Sequence, residues 1–432
     1  MTGPSFKGGV VPPHHKSLTE TAPIQDAPVP ERLVVPVVQH LGAPCEPLVG
    51  RKERVERGQR IADVDAFISA PVHSPVTGVV IKVAQTLLPS GGRALAIEIE
   101  PDQEADLSSW IAVEGETVAE KVRAAGIVGM GGAQFPSAVK LTPPKEFEID
   151  TVILNGCECE PFLTCDHRLM VERPERVVAG ARYIAEAVGA ARTVIGVEDN
   201  KPDAIAALRA AAKDGVEVLS LPARYPQGAE KQLIYSVLGK EVPKGQLPAA
   251  TGALVHNVGT AAAIADAVEL GKPLMERVVT VTGAVRRPGN YRVLVGTLVS
   301  DLIEWAGGLE DDVERVIAGG PMTGFALGSL DVPVVKGTSG IVALREGEAA
   351  PLVRGDQPCI RCGRCAEHCP TFLQPYAIAN YSNLSRWEET ADLHALDCIE
   401  CAVCSYVCPT RRPLLQLIRL AKSALLARGV RP

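Results

Sequence analysis

Two copies of one cysteine pattern, C-x2-C-x2-C-x3-C-P, stand in the last part of the chain. The first comprises Cys359, Cys362, Cys365, Cys369 and Pro370; the second comprises Cys398, Cys401, Cys404, Cys408 and Pro409. Adding 39 to each member of the first set gives the second, so the segment is an internal repeat. Three thiolates at three-residue steps can wrap one iron–sulfur cubane on a short loop, whereas the fourth, after a longer step, points away from it. In two-cluster proteins with this spacing the fourth cysteine serves the other cluster. The spacing therefore predicts one [4Fe-4S] cluster on Cys359, Cys362, Cys365 and Cys408, and a second on Cys398, Cys401, Cys404 and Cys369. Zinc knuckles, the alternative, pair C-x2-C units across longer gaps. His368 lies between two ligands and reads as a spacer, because four thiolates already complete each cluster.

That reading needs reduced thiols. The segment MTGPSFKGGVVPPHHKSLTE lacks the apolar run of a secretory signal, and no run of 18 apolar residues occurs. The expectation is a chain in the cytoplasm, or bound peripherally at the cytoplasmic side of the cell (inner) membrane, where disulfides are disfavoured. A net charge of −7 argues against a general nucleic-acid binder. Apolar content of 46% and charged content of 22% are those of a globular protein, and 432 residues allow about three or more domains.

Upstream of the cysteines, residues 1–30 are Pro-rich and read as an irregular arm. Residues 31–83 alternate β-branched runs with turns and resemble the barrel-sandwich fold of biotinyl and lipoyl carriers. The expected hairpin, Asp65-Ala66-Phe67, has no lysine to acylate, so a structural module is expected there. A helix over 114–125 ends at Gly126 and leads into GIVGMGGAQFP. Such a loop lets backbone N–H groups approach a phosphate, but it follows a helix and so departs from the Rossmann fingerprint. A strand over 149–154 then runs into Asn155-Gly-Cys-Glu158-Cys-Glu160, an acidic loop where α/β folds place ligand contacts. A helix over 172–188 and a strand over 192–197 continue the alternation to about residue 275. The loops YPQGAEK and HNVGT look like further edges of one site. Cys157, Cys159 and Cys165 lack cluster spacing and read as packed thiols. Residues 411–429 predict a helix with leucines on one side and basic residues on the other. It either packs on the cluster domain or docks on a membrane subunit or anionic lipid.

Together these segments resemble the C subunit of the Rnf electron-transport complex over nearly the whole chain. The resemblance rests on GGVVPPHHKSLT, SAPVHSPVTG, GIVGMGGAQFPSAVKL, NGCECEPFLTCDHRLM, YPQGAEKQLI, HNVGT, VTGAVRRPGNY, IAGGPMTG and the two cysteine runs. A more distant resemblance is to the flavin-bearing, NADH-oxidising subunit of respiratory complex I. The expected architecture is multidomain α/β. It has an arm (1–30), a barrel-sandwich hybrid (31–105), an α/β FMN/NADH-binding domain (106–275), an SLBB-type β-grasp module (276–350) and an α-helical two-cluster ferredoxin-type domain (351–432).

The resemblance implies FMN in the α/β domain and NADH as hydride donor, with two [4Fe-4S] clusters taking electrons singly. By motif matching, Gly129, Gly131 and Gly132 would face FMN, with Lys140 near its phosphate, and Asn155 and Glu158 would contact the ring. Glu160 would meet the nicotinamide half of NADH, Phe135 would pack on the dinucleotide, and Asn257 and Thr260 would supply a later flavin contact. Glu158 and Glu160 are the catalytic candidates. Leu141 stands where complex I subunits carry an aromatic residue after the motif lysine. The implied partners are the other Rnf subunits, one of ferredoxin type and several in the membrane, and, indirectly, ferredoxin. The implied activity is NADH:ferredoxin oxidoreduction coupled to Na+ or H+ translocation.

Overall fold

A computed structural model describes residues 5–212, 215–345, 347–348 and 357–430. The expected boundary between β-grasp and cluster modules, near 350, lies outside the described residues. Short strands after the arm form a four-stranded antiparallel sheet in the order Leu33–Pro36, Arg93–Pro101, Gly78–Leu87, Arg54–Val55, faced by a three-stranded sheet of Glu46–Pro47, Arg60–Asp63 and Val72–His73. Their alternating apolar positions, among them Leu33, Val35, Ile61, Val80, Ile97 and Ile99, close one core between the sheets. The Asp65-Ala66-Phe67 turn joins two strands of the smaller sheet and leaves Phe67 exposed.

His73, next to Val72 of that core, is buried. Burial, followed by the charges of Lys336, Arg60 and Arg123, lowers its imidazole from 6.5 to about 3. The unfolded chain therefore takes up this proton first, and stability is complete above pH 6.5 and lost as pH falls toward 3. His73→Gln should flatten the acid-side fall of the unfolding midpoint; an unaltered pH profile would refute the assignment.

Four parallel strands form the next sheet, in the order Val216–Leu221, Arg192–Glu198, Thr151–Gly156, Ala253–Asn257. All but the edge strand Val216–Leu221 are buried on both faces, so they read as near-continuous apolar runs rather than as alternation. Helices Pro174–Val188 and Val258–Leu270 pack against each other closely enough that a Cβ on Gly180 would lie 1.9 Å from the Ala261 carbonyl oxygen. Three boundaries differ from expectation. The first helix is Val118–Ala124, started by a Thr117/Glu120 capping box. The expected 172–188 helix is broken at Arg173, where Pro174 starts a new helix after Cys165–Glu172. The strand expected over 149–154 runs Thr151–Gly156, because Asn155 and Gly156 continue the ladder against Gly196 and Val197.

A six-stranded sheet follows, built from Glu276–Gly283, Gly289–Leu294, Val313–Ala318, Phe325–Ala326 and Gly340–Arg345, with helix Val299–Trp305 packed on it. Its sixth strand is Ile24–Asp26 of the arm, parallel to Gly289–Leu294. The arm is thus a strap and not a free tail. Val10 bridges Tyr225, Gly9 N–H donates to the His368 carbonyl, Phe162 N–H donates to the His14 carbonyl, and His15 stacks on Phe162.

The cysteine repeats lie among short helices, including Arg364–Glu367, Pro375–Asn383 and Val403–Tyr406, closed by Leu414–Ala427. Leu414, Ile418, Ala421 and Leu425 of that last helix are buried against Ile378 and Ala379. Its Arg419 and Lys422 are engaged by Glu400. The helix thus packs on the cluster domain, as one of the two expectations has it. Among the described residues no helix is long and apolar enough to cross a membrane.

Candidate active site and metal centres

The carboxyl ends of strands Thr151–Gly156 and Ala253–Asn257 open into a cavity of about 670 Å³. Asn155, the penultimate residue of the first strand, donates from Nδ2 to the Gly228 carbonyl at 2.7 Å and accepts from Cys157 N–H. Glu158 follows with a positive φ of 44°, which turns its carboxylate onto the N–H groups of Asp166 and His167 at 2.7 and 3.1 Å. Asn257 caps helix Val258–Leu270, accepting from Gly259 and Thr260, and its Nδ2 donates to Asp166 Oδ2 at 2.7 Å. Glu158, Asp166 and the Cys165 thiol lie within 4.8 Å of one another. Burial first, then the Glu158 charge, raises the Asp166 carboxyl.

The glycine loop forms the opposite wall. A Cβ on Gly131 would lie 3.0 Å from Asn257 Nδ2, while one on Gly132 would meet nothing within 4 Å. The loop is tied down by Met130 N–H donating to Thr260 Oγ1 at 3.0 Å and by Gly129 N–H donating to the Phe135 carbonyl at 2.9 Å. Glu160 reaches the far wall, accepting from the N–H groups of Met322 and Thr323 and from the Thr323 hydroxyl. Burial raises its carboxyl against those hydrogen bonds.

The cavity thus gathers Gly131, Gly132, Asn155, Glu158, Glu160 and Asn257 of the expected set. Gly129 and Thr260 stand behind it and brace the loop. Phe135 is half-buried outside the described lining. Lys140 is not brought there: its ammonium is taken by Glu230 at 2.8 Å and the Val255 carbonyl at 2.9 Å. In this structure a carboxylate and a carbonyl satisfy Lys140.

Asp166, Cys159 and Gly228, the barrel loops at His40 and Pro89, and the β-grasp loop at Thr323 also line the cavity. Asp166 lies within the CDHRLM motif, which by itself marks no residue as a ligand contact. The barrel loops carry no motif signal, because only tertiary packing brings them to the site. Cys157 and Cys165 are buried and Cys159 is half-buried; burial pushes all three thiols up, as expected for packed cysteines.

In the repeat region, Cys359, Cys362, Cys365 and Cys408 line one cavity of about 170 Å³. Cys369 instead lies within electrostatic range of Cys398, Cys401 and Cys404. The sulfurs therefore gather in crossed sets, three from one repeat and one from the other. Burial pushes Cys398 and Cys401 up to about 11 and about 12, so these thiols keep their protons until a metal displaces them. Four convergent thiols per set suit a [4Fe-4S] cluster.

Four family models match in order: an RnfC barrel sandwich hybrid domain over residues 4–104, a Nuo51 FMN-binding domain over 122–266, an SLBB domain over 278–326 and a 4Fe-4S dicluster domain over 358–411. The C subunit of the proton-translocating ferredoxin:NAD(+) oxidoreductase complex of Clostridium ljungdahlii is 43% identical, covering 99% of this chain and 95% of its own length. The Na(+)-translocating counterpart from Acetobacterium woodii is also 43% identical, covering 98% and 97%. The C subunit of the ion-translocating oxidoreductase complex of Rhodobacter capsulatus is 42% identical, covering 99% and 84%. An NAD+-reducing [NiFe]-hydrogenase crystal structure shares the fold over 71% of this chain and 62% of that one, with a TM-score of 0.50 and 21% identity. With FMN and two [4Fe-4S] clusters as its cofactors, the chain belongs to the family of C subunits of the Rnf ion-translocating ferredoxin:NAD(+) oxidoreductase complexes.

Proposed function

We propose that this chain oxidises NADH in the cavity at the carboxyl ends of the parallel strands and passes electrons outward through its two clusters. One observation carries the reading: the loop whose Gly228 holds Asn155 also carries Tyr225, whose hydroxyl donates to the Cys401 carbonyl at 2.8 Å. The flavin wall and a cluster loop are thus one continuous structure. FMN bound here supplies the two-electron to one-electron conversion between a hydride donor and one-electron carriers.

The chain's own residues divide the remaining work. The lining of the cavity contains Glu158, Glu160 and Asp166, and the Gly131–Gly132 turn offers its backbone N–H groups to phosphate. Asn155 and Asn257 are locked by their own hydrogen bonds and so present amides in fixed orientations. Glu160, held by the β-grasp loop, is placed to orient the nicotinamide half of NADH. Asp166, fixed by Asn257 and raised by burial, stands beside the reacting ring. Water exclusion is shared by the barrel and β-grasp loops, which cover the cavity from two sides.

Cys369 and Cys401 lie on loops bonded to the flavin-binding domain: Gln232 donates to the Pro370 carbonyl and Tyr225 to the Cys401 carbonyl. The cluster on Cys398, Cys401, Cys404 and Cys369 is therefore the first acceptor. The Cys359 set, with Ile360 60% exposed at its mouth, is the exit. The exit faces a ferredoxin-type partner within a complex whose membrane subunits move Na+ or H+, with this chain on the cytoplasmic face of the cell membrane.

An anaerobic visible spectrum of the reconstituted chain, before and after NADH, tests this. About one FMN and about eight irons per chain, bleached by NADH, are expected. Full iron with no flavin, and no response to NADH even with added FMN, would reduce the chain to an electron wire.

A further inference from the structure

The turn leaving the second repeat, Cys408-Pro-Thr-Arg411-Arg412, buries a guanidinium. Arg412 is 9% exposed, and its Nη1 is buried with no hydrogen-bond partner among the described residues. It lines the same cavity as Cys359, Cys362, Cys365 and Cys408. A buried cationic N–H without an acceptor is costly, so a fold keeps one only where an acceptor arrives. The acceptor chemistry of this cavity is sulfur. The local turn already points that way, since the Thr410 hydroxyl lies 3.5 Å from the Cys408 sulfur.

The repeat provides an internal control. Thr371 and Thr410 place their hydroxyls 3.4 and 3.5 Å from Cys369 and Cys408, so the two turns correspond at the offset of 39. At that offset the counterpart of Arg412 is Leu373, a buried apolar side chain. The cations near the other set, Arg419 and Lys422, are already paired with Glu400 at 2.8 and 2.6 Å. Two sites with the same ligand spacing thus differ in their cations: among the described residues only the Cys359 set faces an unpaired buried guanidinium.

We propose that Arg412 donates an N–H to the cluster held by Cys359, Cys362, Cys365 and Cys408. It thereby sets that cluster's reduction potential above its twin's, so that an electron entering the pair comes to rest at the exit. A positive donor stabilises the more negative, reduced cluster, and hydrogen bonds to sulfur are among the levers on cluster potential. The inference rests on the two-cluster reading above but not on the flavin or on NADH.

The test is a mediated redox titration of the full reconstituted chain, followed by electron paramagnetic resonance, with dithionite as reductant so that neither flavin nor NADH is involved. Cys362→Ser, which perturbs one ligand set, assigns the signals. Arg412→Gln should lower the potential of the Cys359-set cluster by about 59 mV, a tenfold change in its one-electron equilibrium, and leave the twin unmoved. Arg412→Lys, which keeps the charge but not the planar donor, should restore part of the shift. An unmoved potential at full iron content, or a shift confined to the other cluster, overturns the proposal. So does loss of one cluster in both Arg412 variants, which marks a purely structural residue. A wild-type chain that takes up no iron overturns the cluster assignment itself.

Discussion

Lys16→Met should loosen the loop that forms the floor of the flavin cavity, lower stability by roughly 3 kcal/mol, and weaken FMN retention by about tenfold or more. Lys16 is a buried ammonium delivered by the arm, and burial lowers its pKa against the raising effects of Glu158 and Glu198. It donates to the carbonyls of Glu158 and Glu160 at 2.9 Å each and to that of Leu163. A loop with positive φ at Glu158 and Phe162 turns these carbonyls toward the ammonium. Methionine fills the same volume and leaves all three carbonyls unpaired. Every 1.4 kcal/mol that FMN must then supply to reorder the loop costs a factor of ten in affinity. Lys16→Arg should not rescue the variant fully, because a planar fork cannot meet three carbonyls converging on one point. Flavin titration of the apoprotein and thermal unfolding read the effect; unchanged values in Lys16→Met would show that the arm merely lies on the surface.

That role is not legible in the sequence. GGVVPPHHKSLT has no periodicity, and an irregular reading of it is correct locally. Its order comes from partners distant in the chain: Tyr225, Phe162, His368 and strand Gly289–Leu294. The parallel sheet is legible because its inner strands are buried on both faces, and the crossed cysteine sets because the repeat matches the two-cluster pattern. Element boundaries are less so, since whether Asn155 ends the strand or begins the loop is decided by its ladder partners on the neighbouring strands. At the site, Asn155, Glu158 and Asn257 follow from motifs, whereas Asp166 does not. Its importance lies in contacts to Glu158 and Asn257, neither of them its neighbour in the chain. Lys140 shows the converse. A lysine at the motif position is easily matched, yet Glu230 and the Val255 carbonyl take its ammonium, and only coordinates could show that.

The second large effect concerns which cysteines act together. Cys359→Ala and Cys408→Ala should each remove one cluster, about four irons, and the double variant should lose no more than either single one. Cys359→Ala combined with Cys369→Ala should lose both clusters. The reason is geometric: Cys408 comes from the second repeat but lines the cavity of the first, whereas Cys369 leaves the first repeat to sit among the thiols of the second. If each repeat held its own cluster, the outcomes would exchange, with the Cys359/Cys369 pair costing one cluster and the Cys359/Cys408 pair costing both. Iron content with the resonance signature of the survivor distinguishes the two without any assay of activity. Stability should follow the same pairing. Cys365, Cys369 and Cys404 are packed into one core with Ile378, Leu414 and Ile418, so the clusters fill that core as well as carry electrons. Because each cluster ties the two repeats together, losing either one should loosen both halves of the domain. Helix Leu414–Ala427, which spans them, should then lose protection from hydrogen exchange in every single-cluster variant.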